Sequence, residues 1–167
     1  MKKALFLLLL FSLGACNPGP SKKQFKAIRY FDLKDYITKE AKRLNQLNPD
    51  IDKSVMVNRS EEHKKVKIAD WQKELSVFSD ADINKSAWQG LFQTYEGKDI
   101  KTYLSDNEKV PVKSLSIKYR SGKIYAIQVL ISTENLLYTS NDVLSYFPDS
   151  LYEVKKTQHI KLLNEKD

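Results

Sequence analysis

The chain has 167 residues, a formal charge of +7 and one cysteine, Cys16. That length suits a single domain, and one cysteine excludes an internal disulfide, so stability must come from a packed core. The positive charge is nearly all lysine; arginine is limited to Arg29, Arg43, Arg59 and Arg120, so the side chain that grips phosphates and reads bases through a two-pronged contact is scarce, which argues against nucleic acid as a partner.

Lys2 and Lys3 precede an apolar run, Ala4 to Leu13, closed by the small residues Gly14 and Ala15 before Cys16. A basic start, an apolar stretch shorter than the roughly 20 residues needed to span a bilayer, and small residues at its end describe a secretory signal peptide. The plainer alternatives are a buried helix or a signal cut elsewhere. Leu13-Gly14-Ala15-Cys16 resembles the lipobox of bacterial lipoproteins. The resemblance implies cleavage before Cys16, lipidation on its sulfur and a stable membrane anchor, since several acyl chains hold where one does not. Residues 1–15 are thus expected to be the signal peptide, 16–24 the lipidated N-terminus and tether, and 25–167 one α+β domain. Pro18, Gly19 and Pro20 keep the tether from building an element, and its seven residues from Asn17 to Lys23 reach at most about 25 Å. Likeness to lipoprotein sorting rules implies the outer membrane, because Asn17 stands where a retention aspartate would, and a periplasmic orientation, because no acidic export cluster follows.

Leu33, Tyr36, Ile37, Ala41, Leu44 and Leu47 recur at helical spacing, predicting a helix over 32–47 with Asp32 as its cap, Pro49 as its stop, and Tyr30 and Phe31 packed on its first turn. Strands are predicted at 54–57 and 64–68 around a polar turn, Asn58 to His63. His63 beside two glutamates has metal-ligand chemistry, but with no second histidine or cysteine nearby it reads more simply as a solvated turn residue. Asp70 caps a short helix that should bury Trp71, Leu75 and Phe78. Asp80, Asp82 and Asn84 imitate the start of a calcium loop; Lys85 and Leu91 occupy the positions that need glycine and glutamate, so a helix exit and turn is the reading. Residues 86–95 are ambiguous between a helical turn and a strand, 98–104 read as a strand, and 105–109 as an exposed loop.

The last third is the clearest β region. Leu115, Ile117 and Tyr119 alternate with polar residues, Ser121-Gly122 makes a tight turn, and a strand follows from Lys123 to Thr133. That strand carries apolar residues on both faces, Tyr125, Ile127, Val129 and Ile131 against Ile124, Ala126 and Leu130, and is expected to be central. Residues 136–140 return from Glu134-Asn135, 142–151 form a connecting excursion with one helical turn at 143–146, and a last strand runs over 152–163. The expected fold is α+β, an amphipathic N-terminal helix packed on a curved antiparallel sheet made as a meander of hairpins. Asp70-Trp71, Asp82 to Lys85, Thr133 to Ser140, Tyr146 to Asp149 and Gln158 to Leu163 together resemble uncharacterised lipoproteins of Bacteroidota, a resemblance that implies no activity.

No G-x-S-x-G, H-E-x-x-H, phosphate-binding loop or dinucleotide fingerprint occurs, and five glycines leave little material for one. Paired carboxylates brought together by folding would still permit hydrolysis. His159 reads as a polar face residue on the last strand rather than a base. The expected function is a membrane-anchored envelope lipoprotein that binds an envelope protein or component without catalysis, needing no cofactor and no metal. Alternatives are a carrier of an apolar ligand between sheet and helix, and an immunity or inhibitor lipoprotein. Asp149-Ser150-Leu151 resembles the triplet at which exported Bacteroidota proteins are O-glycosylated, which implies a sugar on Ser150; the plainer reading is a turn made by Asp149 and Ser150.

Overall fold

The computed structural model describes residues 30–161. The expected signal peptide, Cys16 and the tether over 16–24 lie outside these residues. Helix α1, Leu33–Leu47, begins where Asp32 accepts the Asp35 N–H at 2.8 Å. It ends where Asn48 turns left-handed and gives its own N–H to the Leu44 carbonyl, ahead of Pro49. Leu33, Ile37 and Ala41 are fully buried. The apolar stripe fades toward the C-terminus, with Leu44 half-buried and Leu47 61% exposed.

Strands β1, Asp50–Val57, and β2, Ser60–Lys67, form a two-stranded sheet of their own. Asn58 and Arg59 both take positive φ, the backbone of a two-residue hairpin turn whose twist suits the flanking strands. The turn is therefore shorter than the predicted 58–63, and His63 sits on β2 opposite Ser54. Beyond Lys53 the arm is exposed on both faces, so it lacks the burial alternation that marks a strand in sequence. Asp70 caps α2, Trp71–Glu74, and after Leu75 the chain turns again in α3, Ser76–Asp80. Trp71, Leu75 and Phe78 are buried as predicted. Residues 86–95 divide between both readings: Ser86–Trp88 is a 3-10 turn and Gln93–Glu96 is strand β3.

Strands β3, β4 (Ile100–Leu104), β5 (Val112–Arg120), β6 (Lys123–Glu134), β7 (Tyr138–Phe147) and β8 (Leu151–Ile160) follow in chain order as one six-stranded antiparallel sheet. The class is α+β, dominated by antiparallel sheet. The central position expected for β6 holds, but the faces expected for its residues change partway. Lys118 pairs with Ala126 and Tyr119 with Ile124, so Tyr125 is an extra residue that reverses the alternation. Ile124 joins the core, and Tyr125 turns outward beneath the Arg120 guanidinium, 4.5 Å from its ring centre. A second correction concerns 142–151: no excursion or helical turn occurs there, because β7 runs unbroken to Phe147 and a three-residue turn leads straight into β8.

One buried cluster unites Leu33, Ile37 and Ala41 of α1, Trp71, Leu75 and Phe78 of the short helices, and Tyr103, Leu115, Ile117, Ile127, Val129, Leu144 and Tyr146 of the sheet. Sheet tyrosines meet aromatic partners edge to face: Tyr103 with Tyr30 at 5.5 Å, Tyr146 with Phe78 at 5.8 Å and Tyr152 with Trp71 at 6.2 Å.

Candidate functional site

Two half-buried carboxylates on the helices accept hydrogen bonds from tyrosines of the sheet. Glu40, on α1, accepts two hydrogen bonds from the Arg43 guanidinium, at 3.0 and 2.9 Å, and a third from the Tyr146 hydroxyl at 2.7 Å. Glu74, at the end of α2, accepts from the Tyr152 hydroxyl at 2.6 Å and from the Lys53 ammonium at 2.7 Å. In each brace a helix glutamate faces a sheet tyrosine and one cation. Burial pushes both carboxyls up, but the hydrogen bonds from cation and phenol outweigh it and hold them below the ordinary carboxylate range. Burial and the facing carboxylate push the Tyr146 and Tyr152 phenols well above the usual tyrosine range. Glu40 and Glu74 are thus ionised acceptors. A general acid needs the opposite shift, a carboxyl held protonated near neutrality, so neither has the character of that acid.

Where the chain joins the domain, Asn84 acts as a latch. Its side-chain oxygen accepts the Tyr30 N–H at 3.2 Å and its amide donates to the Phe31 carbonyl at 3.0 Å. The Phe31 N–H in turn donates to the Tyr103 hydroxyl at 3.0 Å. Asp82 accepts from the Asn84 backbone and side chain, both at 3.2 Å. In the run that imitates a calcium loop, the Asn84 oxygen is thus taken by the Tyr30 backbone and the two Asp82 oxygens by Asn84 itself. Beside it lies an open cleft of about 420 Å³ lined by Lys34, Ser79, Asp80, Asp82, Asn84 and Lys85. Its side chains are four charged groups, one amide and one hydroxyl, without the aromatic and aliphatic side chains that line a site for an apolar ligand.

Of the residues singled out in sequence, Cys16 lies outside the described residues. Ser150 is exposed in the turn between β7 and β8, where its N–H closes the turn onto the Phe147 carbonyl at 3.1 Å. Pro148 fixes the first corner, Asp149 takes a positive φ of 61°, and the Asp149 carboxylate reaches Arg43 Nη1 at 2.6 Å. The turn is thereby fastened to α1 through the same arginine that serves Glu40. His63 and His159 sit on β2 and β8, apart in sequence and on different sheets. Among the described residues no group of three or more histidines, cysteines or carboxylates is placed to hold a metal ion, and no helix is long and apolar enough to cross a membrane.

The outer face of the six-stranded sheet, opposite the buried cluster, is a surface that the sequence disclosed only in part. Register places Leu104, Ser114, Leu130 and Val143 in one row across β4 to β7, and Tyr95, Thr102, Ser116, Gln128 and Ser145 in the next, across β3 to β7. Thr102 and Ser116 hydrogen-bond across the strands at 3.0 Å. The apolar members stand well out: Tyr95 is 53% exposed, Leu130 41% and Leu104 40%. Phe147 and Leu151, paired at the β7–β8 end, extend the apolar area. Small hydroxyls between tall apolar side chains make a gently ridged surface, not a pocket. Period-two spacing signals this face in β5, but the extra residue in β6 hides it there. Comparison with protein-family models, with curated proteins and with solved structures finds no match to this chain.

Proposed function

We propose that this chain is a lipid-anchored envelope protein that binds another envelope protein on the outer face of its sheet and performs no catalysis. The observation that carries the reading is that face: Tyr95, Leu104 and Leu130 are exposed to solvent on the strands of a rigid meander, around a strip of Thr102, Ser116 and Ser145. Exposed apolar side chains interspersed with small hydroxyl residues are the composition of a protein-docking surface. On this reading the amphipathic helix α1 lies across the inner face, the Glu40 and Glu74 braces hold helices and sheet as one body, and binding costs little reorganisation. Lipidation at Cys16, as the lipobox resemblance implies, keeps the domain at the outer membrane facing the periplasm. The polar lining of the cleft beside Asn84 gives no support to a carrier of apolar ligands.

The test is crosslinking in intact cells followed by capture of the anchored chain, in the native form and with Leu104→Lys and Leu130→Lys together. Two outward charges remove the apolar centre and leave the core untouched. Loss of the crosslinked species from the double variant, with an unchanged melting temperature, is the expected result. The same species captured by both forms in equal amount refutes the reading.

A further inference from the structure

We propose that two copies of this chain join their sheets edge to edge through β8, with the twofold axis passing through Val154. The sheet has two edges. β3 offers four residues, whereas β8 is a ten-residue strand paired with β7 along its whole length and, among the described residues, with no strand on its other side. Just past β8 the Lys161 N–H donates to the Leu137 carbonyl at 2.9 Å, which fixes the phase of the strand. Odd-numbered residues turn their N–H and C=O toward β7, and Tyr152, Val154, Lys156 and Gln158 turn theirs outward. A long row of unpaired backbone groups is a template for another strand, and proteins usually guard such an edge with lysines. Lys155 and Lys156 are such guards.

In one register the guard becomes a lock. An antiparallel copy centred on Val154 exchanges both backbone hydrogen bonds between Val154 and the partner's Val154, and again between Tyr152 and the partner's Lys156. Glu153 then lies directly opposite the partner's Lys155, twice over by symmetry, in the non-hydrogen-bonded position where side chains approach most closely. Lys155 already pairs with Glu153 of its own strand at 3.0 Å, and Lys156 with Asp142 at 3.2 Å, so the edge is electrically balanced before it meets its copy. Moving the axis to Lys155 or Lys156 sets a lysine against itself, and moving it to Glu153 sets a carboxylate against itself. Charge thus selects Val154 over its charged neighbours. Val154 is 46% exposed and covers its own twin at the axis.

The experiment uses the full chain, purified in detergent, and sedimentation equilibrium with the detergent density-matched. The expected mass is twice that of the single purified chain, whose own mass is taken by mass spectrometry. Lys155→Glu sets two pairs of carboxylates face to face and should weaken dimerisation at least tenfold, and Glu153→Lys combined with Lys155→Glu should restore it. A second measurement fixes the register. With Cys16→Ser, so that an unlipidated fraction offers no second thiol, Val154→Cys should form a disulfide-linked dimer on oxidation, because hydrogen-bonded pairs bring Cα atoms to about 5.5 Å, within disulfide range. Thr157→Cys should not, since its twin lies six residues away along the strands, about 20 Å. A mass of one chain at about 100 μM, well above the Kd of a useful dimer, overturns the proposal. So does dimerisation indifferent to Lys155→Glu, or equal crosslinking at the two cysteine positions.

Discussion

Replacing Tyr146 by phenylalanine removes one oxygen from the Glu40 brace and leaves the ring in place. Tyr146 is 3% exposed and its hydroxyl donates to Glu40 at 2.7 Å, while the Glu40 side chain is itself only 14% exposed. A hydrogen bond to a charged group contributes about 1.5–3 kcal/mol. Glu40 keeps both bonds from Arg43, so the variant does not leave a bare buried carboxylate, and the expected cost lies at the lower end, about 1.5–2 kcal/mol. Urea unfolding at neutral pH should read this as a lower midpoint with an unchanged slope. The pH dependence gives a sharper check. The native state holds the Glu40 carboxyl below its ordinary range, so its contribution is complete above the unfolded pKa, about 4.3, and is lost as the pH falls through the folded value. Tyr146→Phe removes one of the interactions that depress it. The stability gap between the two proteins should therefore narrow below about pH 4, as the carboxylate that the phenol serves becomes protonated. A variant as stable as the native chain at neutral pH, or a gap that stays constant into acid, would refute the assignment of the brace.

Within α1, Ile37→Ala should cost about 2–5 kcal/mol and Leu47→Ala no more than about 0.5, since the first side chain is fully buried and the second mostly in water; equal midpoints for the two would contradict the burial described here. Cys16→Ala should shift the protein out of the membrane fraction, because the cysteine sulfur is the acceptor for the lipid; continued sedimentation with outer membranes would rule the lipoprotein reading out. Intact mass of protein from its native host should show a glycan that disappears with Ser150→Ala, and an unmodified mass, or a glycan that survives the substitution, disposes of that site.

What could be read in the sequence was what local physics decides. Asp32, the three-and-four spacing of Leu33, Ile37 and Ala41, and Pro49 announce α1 from within 18 residues. Ser121-Gly122, with positive φ at both positions, likewise marks the β5–β6 hairpin. What could not be read depended on partners far along the chain. Asn141 and Asp142 have poor strand propensity, yet both are held in β7 because β6 and β8 flank it on both sides. Asp142 is tolerated there because Ser140 and Lys156 meet its carboxylate at 2.7 and 3.2 Å. The Glu40–Tyr146 brace spans 106 residues of sequence and the Glu74–Tyr152 brace 78, separations over which no periodicity carries information. The outer face was half-legible: β5 shows its alternation plainly, but one extra residue at Tyr125 shifts the faces of β6 and mixes inward and outward side chains.

The arm made by β1 and β2 runs on a different clock from the rest of the molecule. Its base is fastened by Ile51 and Val66, both half-buried, and by the Lys53 bond to Glu74. Farther out, from Ser54 to Lys65, the two-strand ladder is exposed on both faces and, among the described residues, has no third strand and no core to share the cost of ordering it. Its amides should trade hydrogen for deuterium through local fraying, reporting a free energy far below that of global unfolding, while β5 and β6 exchange only when the whole sheet opens. A surface that samples open states this often can reshape itself against whatever approaches it, long before the body of the domain has time to respond.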